Sequence, residues 1–291
     1  MLHVTNGDCA ARILERTSLG GDVLAWREVL HDGPVPHAER DELRRLRAAF
    51  IASAFGVEAV AVLADQRARD QRLERALEAG EPVVLWFEHD LFDQLLLLQV
   101  LDVVGDRPGV ELIVVEAFLG AMTADDLERL WPGRAPLRPE QRECAARAWT
   151  AFCAGDLAGL GREADAEDDG GLPHLSAALA RLLDDVPGDD GLSRTERQLL
   201  RAIDRGAQTA GDAFMAAAAE DEAPFLGDTS AFWRLAAMTR SPAPPVAVDG
   251  HPIAPPTPVG ITAAGVAILS GGASYIRPPG RECWLGGARL G

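Results

Sequence analysis

The densest group of ionisable residues in the chain is Glu88-His89-Asp90 with Asp93, three carboxylates and one imidazole within six positions. The group directly follows the apolar segment Pro82–Phe87, which is typical of a strand buried on both faces. Carboxylates and imidazole can exchange protons with a substrate, and carboxylate oxygens also bind hard divalent cations. We therefore take His89 and Asp90 as candidate catalytic residues, and Glu88 and Asp93 as candidate metal ligands.

Two further polar segments lie where predicted strands end. Asn6-Gly7-Asp8 follows the alternating segment Leu2–Thr5, and His31-Asp32-Gly33 comes shortly after the predicted strand Asp22–Trp26. Ligands bind outside the carboxyl ends of the strands in open α/β sheets. This placement makes His31 a third candidate catalytic residue if the fold brings it near His89. The candidate ligand-binding residues are Asn6, Gly7, Asp8, Asp32, Gly33 and Gln94.

Each candidate also has a purely structural interpretation. Asp8 and Asp90 can cap the helices that follow them, because aspartate is among the best N-cap residues. His31-Asp32-Gly33 is typical of a tight turn. Cys9 at a helix start could be a reactive thiolate, although an inert core residue is the more common outcome. The spacing of the Glu88–Asp93 group matches no metal-specific motif.

The elements that would position these residues alternate between strand and helix. Predicted strands are Leu2–Thr5, Asp22–Trp26, Pro82–Phe87 and Val110–Val115, and predicted helices cover 9–16, 39–54, 57–79, 91–104 and 123–130. Alternation of this kind predicts an α/β domain over residues 1–135, Rossmann-like in architecture, with a mainly parallel sheet of at least four strands. No GxGxxG or GxxxxGK[ST] motif is present, so NAD and P-loop nucleotides are not expected as cofactors, whereas a divalent metal is compatible with the carboxylates.

The remainder of the chain is predicted to be mostly helical. Residues 136–191 are interpreted as a connector with helices over 138–153 and 175–185 and an acidic loop over 162–171. Residues 192–291 are interpreted as a winged-helix-like module. Its predicted features are a capping box at Ser193–Glu196, helices that continue to Arg205 and span 210–219, 230–238 and 263–269, and a hairpin around Gly286-Gly287.

Charge argues against contact with nucleic acid or membranes. The chain of 291 residues has a net charge of −17, and the whole excess lies before residue 193. Such a field repels phosphate backbones and anionic lipid. The third helix of the C-terminal module, which would read DNA in a winged helix, offers only Arg234 and Arg240, fewer than a DNA-reading face normally shows. A scaffold or protein-contact role is favoured for that module.

Cysteine usage and the N-terminus favour a cytoplasmic location. The four cysteines are scattered without a CxxC pair, which is unlike a disulfide framework or a structural zinc site. The first residues lack the basic and apolar regions of a signal peptide. The sequence gives no indication of oligomeric state.

Several motifs resemble those of the bacterial family catalogued as domain of unknown function eighteen-thirty-five, together with the domain that accompanies it at the C-terminus. The motifs that carry the resemblance are Thr5–Asp8, Trp26–Pro34, Trp86–Gln94, Gly191–Glu196, Phe225–Asp228 and Trp284–Gly287. The resemblance covers most of the chain and implies no settled activity. It does imply that the three polar segments described above are family motifs.

Two hypotheses of function follow from these patterns. In the first, the protein is a hydrolase-type enzyme or a small-ligand-binding protein with an acidic and histidine-containing site at the carboxyl edge of the sheet. In the second, it is a non-enzymatic regulator or adaptor whose C-terminal module contacts protein or DNA. Clustering of Asp8, His31, His89, Asp90 and Asp93 in one place would favour the first.

Overall fold

The computed structural model describes residues 1–166, 171–280 and 282–290. The chain divides into two compact units. The first contains Met1–Ala180 and Gly286–Ala288, and the second contains Arg181–Leu285 and the last residues. The three-part division drawn from the sequence, with boundaries after residues 135 and 191, stays a prediction.

The first unit is built on a five-stranded sheet. The strands are β1 (Leu2–Thr5), β2 (Asp22–Ala25), β3 (Val83–Glu88), β4 (Val110–Val115) and β5 (Ala135–Pro136), in the order β2-β1-β3-β4-β5. The first four strands pair in parallel, and the short β5 is antiparallel to β4. This confirms the predicted α/β class with a mostly parallel sheet, and β5 is an addition that the sequence pattern did not indicate.

The register of the sheet sets the position of the polar segments. Thr5 at the end of β1 pairs with Trp86 of β3, and β3 continues by two more residues. Every residue of β1 and β3 is buried. The continuous apolar run of β3 predicts this burial, whereas the alternating pattern of β1 does not. Glu88 was expected after the strand, but it is the last residue of β3 because it continues the parallel pairing opposite Val115.

Helices lie between the strands of the first unit and after its last strand. They are α1 (Asp8–Leu14), α2 (Arg40–Phe55), α3 (Ala59–Glu78), α4 (Leu91–Val104), α5 (Ala124–Leu130), α6 (Pro139–Ala154), α7 (Leu157–Ala164) and α8 (Leu175–Leu183). The leucine-rich α4 is buried along almost its whole length. Within the described ranges, no helix combines the length and apolar character needed to cross a membrane.

Two local expectations for the first unit are corrected. Asp8 does not cap α1: Gly7 occupies the N-cap position, and the Asp8 carboxylate pairs with Arg27 instead. The loop expected over 162–171 begins inside α7, whose own N-cap is the Asp156 side chain. Residues 167–170 of that expected acidic loop lie outside the described residues.

The described part of the second unit contains four helices and short strands. The helices are α9 (Arg194–Asp204), α10 (Ala210–Ala218), α11 (Asp228–Met238) and α12 (Ala263–Leu269), and the strands β6 (Val246–Val248) and β7 (Val259–Ile261) pair antiparallel. A capping box opens α9 as predicted, with Glu196 N–H donating to Ser193 Oγ at 3.1 Å. The expected hairpin also forms, as β8 (Cys283–Leu285) and β9 (Ala288–Leu290). Because prolines are frequent in 241–258, the sequence pattern did not indicate β6 and β7.

Candidate functional site

One asparagine joins the ends of two neighbouring strands. Asn6 follows β1 directly, and its amide nitrogen donates to Glu88 Oε1 at 2.8 Å and to Asp93 Oδ2 at 2.7 Å. The contact follows from the parallel pairing of β1 with β3, which brings both carboxyl ends to one edge of the sheet. Asn6 and the segment Glu88–Asp93 therefore meet there, as the sequence pattern predicts.

The first turn of α4 folds back onto the end of β3. Asp90 is the N-cap of α4 and accepts from the Asp93 N–H at 3.0 Å. Asp93 Oδ1 in turn accepts from the Glu88 N–H at 2.8 Å. The structural interpretation of Asp90 as a helix cap is thus correct, and the same cap brings Asp93 against the strand end.

Glu88, Asp90 and Asp93 form one buried group of acids, called here the carboxylate cluster. One oxygen from each of the three residues lies within 4.8 Å of the others. The three residues are only 3%, 3% and 1% exposed, respectively. The Leu119 N–H donates to Glu88 Oε1 at 2.8 Å, so a backbone donor stabilises part of the negative charge of Glu88. Within the described part of the chain, no arginine forms an ion pair with any of the three.

Burial changes the acidity of all three groups. It raises the pKa of Glu88 and, together with the Glu88 charge, raises the pKa of Asp90 to about 7. Burial and the charges of its two neighbours raise the pKa of Asp93 well above its usual range. These directions follow because burial and like charges both disfavour the ionised form. The cluster therefore retains protons near neutral pH unless a cation compensates its charge.

Gln94, the residue after Asp93, is also buried at this end of β3. It is 1% exposed, and its amide nitrogen donates to the Glu88 carbonyl oxygen at 2.7 Å. Its amide oxygen is buried and has no hydrogen-bond partner among the described residues. A buried acceptor without a donor costs about 1–3 kcal/mol, so this oxygen marks a place where a ligand would be stabilised.

A pair of histidines lies at the same edge of the sheet. The ring of the half-buried His89 packs edge-on against His174, with 5.8 Å between ring centroids. His89 Nδ1 is buried without a hydrogen-bond partner among the described residues. Burial lowers the pKa of His174, and the Glu116 carboxylate opposes that shift. The sequence pattern indicated neither residue as a site candidate, because His174 follows no predicted strand and Glu116 is a lone acid after β4.

Asp8 and Gly7 are close to Asn6 in sequence but have different surroundings. The exposed Asp8 carboxylate accepts from Arg27 at 2.6 Å, and this hydrogen bond lowers the pKa of Asp8. Gly7 has a φ of +140°, and a Cβ built on it would meet open space. Gly7 thus serves the turn into α1, and Asp8 belongs to a surface ion pair.

The segment His31-Asp32-Gly33 is a buried turn beside α4. The His31 ring packs edge-on against Phe92 with 5.9 Å between centroids, and His31 Nε2 lies 3.6 Å from Asp32 Oδ2. Gly33 has a φ of +74°, and a Cβ there would lie 2.5 Å from the Phe50 ring. These contacts support the turn, and through Phe92 they support the first turn of α4.

Beside this turn lies a buried ion pair that the sequence pattern did not indicate. Arg47 Nη2 lies 2.8 Å from Glu28 Oε1, and each side chain is 1% exposed. Gln66 donates to the other Glu28 oxygen at 2.8 Å. The two tryptophans near the strand ends, Trp26 and Trp86, are both fully buried core residues. Cys9 is exposed, and the described part of the chain contains no disulfide bond.

Comparison with known proteins identifies no relative: no protein-family model matches the chain, and no curated protein matches it.

Proposed function

We propose that this protein is a small-molecule hydrolase whose active site is the carboxyl edge of β1 and β3, with the carboxylate cluster and His89 as its acid–base groups. The observation that carries the proposal is the Asn6 amide, which donates to Glu88 and Asp93 at 2.8 and 2.7 Å. It holds side chains from two strand ends together at the edge where open α/β sheets bind ligands.

The groups in this edge have complementary roles. His89 is half-buried, so part of its ring is accessible to a substrate, whereas the three carboxylates are enclosed. Asp90 has a pKa of about 7, because burial and the Glu88 charge disfavour its ionised form. A carboxyl group of that acidity can donate or accept a proton near neutral pH, as general acid–base catalysis requires. In this proposal His31 positions α4 through Phe92 rather than reacting itself.

The test is turnover of chromogenic p-nitrophenyl phosphates and carboxyl esters by the full chain. We expect His89→Asn and Glu88→Gln to reduce kcat/KM by about 10²–10⁴-fold, the usual contribution of a positioned acid or base. Asp102→Asn is the matched control, since Asp102 is an acid on α4 outside the carboxylate cluster. Absence of turnover of every ester class by the unmodified protein would contradict the hydrolase proposal.

We also propose that the chain belongs to the family catalogued as domain of unknown function eighteen-thirty-five. The three N-terminal motifs that resemble the family include Asn6, Asp32 and Glu88. The hydrogen bonds from Asn6 to Glu88 and Asp93 join two of these motifs, Thr5–Asp8 and Trp86–Gln94.

For the second unit we propose a winged-helix-like scaffold. A single bridge pairs Thr209, before α10, with Pro258, before β7, and β7 pairs with β6. The resulting order is helix, short strand, two helices and two strands, which is the order of a winged helix. This part of the chain would then be a packing or protein-contact module.

The charged residues of α11 support a role other than reading DNA. Arg234 is 9% exposed and lies 3.5 Å from Asp185, so its charge is already used within the unit. Arg240, just beyond the helix, is the exposed arginine of the two. Fluorescence anisotropy of the full chain with random duplex DNA should show no binding tighter than about 10⁻⁶ M at physiological salt. Tighter, salt-sensitive binding would favour the alternative, a DNA-contacting regulator.

A further inference from the structure

When all three of its acids are ionised, the carboxylate cluster holds more negative charge than its surroundings compensate. Its hydrogen-bond donors are the Asn6 amide and the backbone N–H groups of Leu119, Glu88 and Asp93. These donors are neutral, and within the described residues no arginine forms an ion pair with the cluster. Buried charges are normally paired or bound to a metal. The cluster therefore has the composition of a cation site.

Gln94 gives a second, independent indication of a ligand. Its amide nitrogen must face the Glu88 carbonyl oxygen, 2.7 Å away, because two oxygens in that position would repel one another. The amide oxygen of Gln94 is therefore held next to the Glu88 backbone, at the strand end that carries the carboxylate cluster. It is fully enclosed and accepts no hydrogen bond from any described residue. A neutral oxygen held in this way is satisfied by a cation or by the water that a cation holds.

We propose that Glu88, Asp90 and Asp93 bind one hard divalent cation, Mg²⁺ or Mn²⁺, with the amide oxygen of Gln94 as a fourth oxygen donor. The inference rests on the proposed function and deepens it by naming a cofactor for the same site. With the cation bound, the three carboxylates are ionised ligands, and His89 is the remaining acid–base group. All four donors are oxygens, which suits Mg²⁺ and Mn²⁺ better than zinc or copper. A cation bound there would supply a polarised water for hydrolysis.

The ligand set fits the size and charge of such a cation. The three carboxylate oxygens already lie within 4.8 Å of one another, so small shifts bring them onto one ion. Mg²⁺ prefers six ligands and usually keeps several waters. Four protein oxygens leave two positions for water and substrate. The substrate class this favours is an ester with an anionic oxygen, such as a phosphate ester, which can share the cation.

The test is titration of the chelator-treated full chain with Mn²⁺, followed by the electron paramagnetic resonance signal of free Mn²⁺. We expect one bound Mn²⁺ per chain, displaced by excess Mg²⁺. Asp90→Asn should weaken binding at least tenfold, and it should leave the fold intact because asparagine also caps helices well. Gln94→Met should weaken binding by about 10–100-fold, the usual effect of losing a group that supports a metal site.

Asp102→Asn is the control, because it removes a carboxylate from the far end of the same helix, and its affinity for Mn²⁺ should equal that of the unmodified chain. Circular dichroism of each variant excludes loss of fold as the cause. Failure of the folded protein to bind Mn²⁺ at millimolar concentration, or equal binding by Asp90→Asn, would overturn the cation site. Ester turnover that persists in chelator would contradict the proposed cation cofactor but not the hydrolase activity. Stoichiometric Mn²⁺ binding without any ester turnover would contradict the hydrolase activity but not the cation site.

Discussion

Asn6 Nδ2 donates a hydrogen bond to Asp93 Oδ2 over 2.7 Å, although 87 positions separate the two residues in the chain. The contact ties the end of β1 to the first turn of α4. The same nitrogen also reaches Glu88 at the end of β3, so one amide connects three elements. The position of the carboxylate cluster therefore depends on a residue that is not itself an acid.

We expect Asn6→Ala to lower the free energy of unfolding by about 1–3 kcal/mol, because it leaves acceptors of Glu88 and Asp93 without their donor. Urea denaturation measures the change. Asn6→Asp keeps the shape but adds a fourth acid, so it should destabilise the protein more than alanine does at pH 7. An Asn6→Ala variant as stable as the unmodified chain would show that the bridge is unimportant.

Stability should also depend on a buried histidine on β1. The Trp86 indole N–H donates to His3 Nδ1 at 3.0 Å, and His3 Nε2 lies 2.9 Å from the Gly20 carbonyl oxygen. This arrangement requires a neutral ring, and burial lowers the pKa of His3 below its ordinary value of 6.5. The unfolded chain therefore takes up the proton first as the pH falls. The stabilisation from His3 is complete above pH 6.5 and is lost as the pH falls through the pKa of the folded state.

The measurement is the free energy of unfolding from pH 5 to 8 for the unmodified chain and for His3→Gln. Other groups titrate equally in both proteins, so the difference between the two isolates His3. We expect the advantage of the unmodified chain to be largest above pH 6.5 and to shrink in more acidic solution. A constant difference across this range would refute the neutral-histidine account.

The fold was predictable where hydrophobic pattern alone decides it. The fully buried β3 and α4 were identified within one residue, since their apolar runs leave few alternatives. The short β5, of two exposed residues, has no such pattern and depends on its antiparallel pairing with β4. The sequence pattern also did not indicate β6 and β7, because proline-rich segments flank them. These two strands depend on their antiparallel pairing with each other.

The buried ion pair near the second polar segment should be costly to break. Arg47→Met is expected to lower the free energy of unfolding by about 3–5 kcal/mol, because the Glu28 charge would remain buried without its partner. Arg45→Met is a matched control on the same helix, since Arg45 is 60% exposed in its pair with Asp41. It should change stability by no more than about 1 kcal/mol. Similar losses for both variants would contradict this account.

The turn at Gly33 should tolerate no side chain. Gly33 and Gly56 have nearly the same φ, +74° and +71°, but only Gly33 faces the Phe50 ring. Gly56→Ala should therefore cost about 1–2 kcal/mol from its left-handed backbone alone. Gly33→Ala should cost clearly more in the same thermal unfolding experiment, because it adds a clash. Equal shifts in Tm would show that the Phe50 contact relaxes freely.

The candidate site was predictable in part, for a physical reason. Parallel strands place their carboxyl ends together, so the position of Asn6 beside Glu88 follows from the strand pattern of the sequence. Side-chain orientation does not follow from that pattern. Asp8 turns toward Arg27, a residue on a different segment. His174 reaches His89 from a part of the chain where the sequence pattern predicts no strand.

The most direct test of the cation site is a crystal structure of the full chain grown with Mn²⁺, with anomalous diffraction recorded at the manganese edge. We predict one anomalous peak within about 2.0–2.6 Å of oxygens from Glu88, Asp90 and Asp93. A carboxylate cluster that keeps its contacts with Asn6 and shows no peak at saturating Mn²⁺ would contradict the proposal.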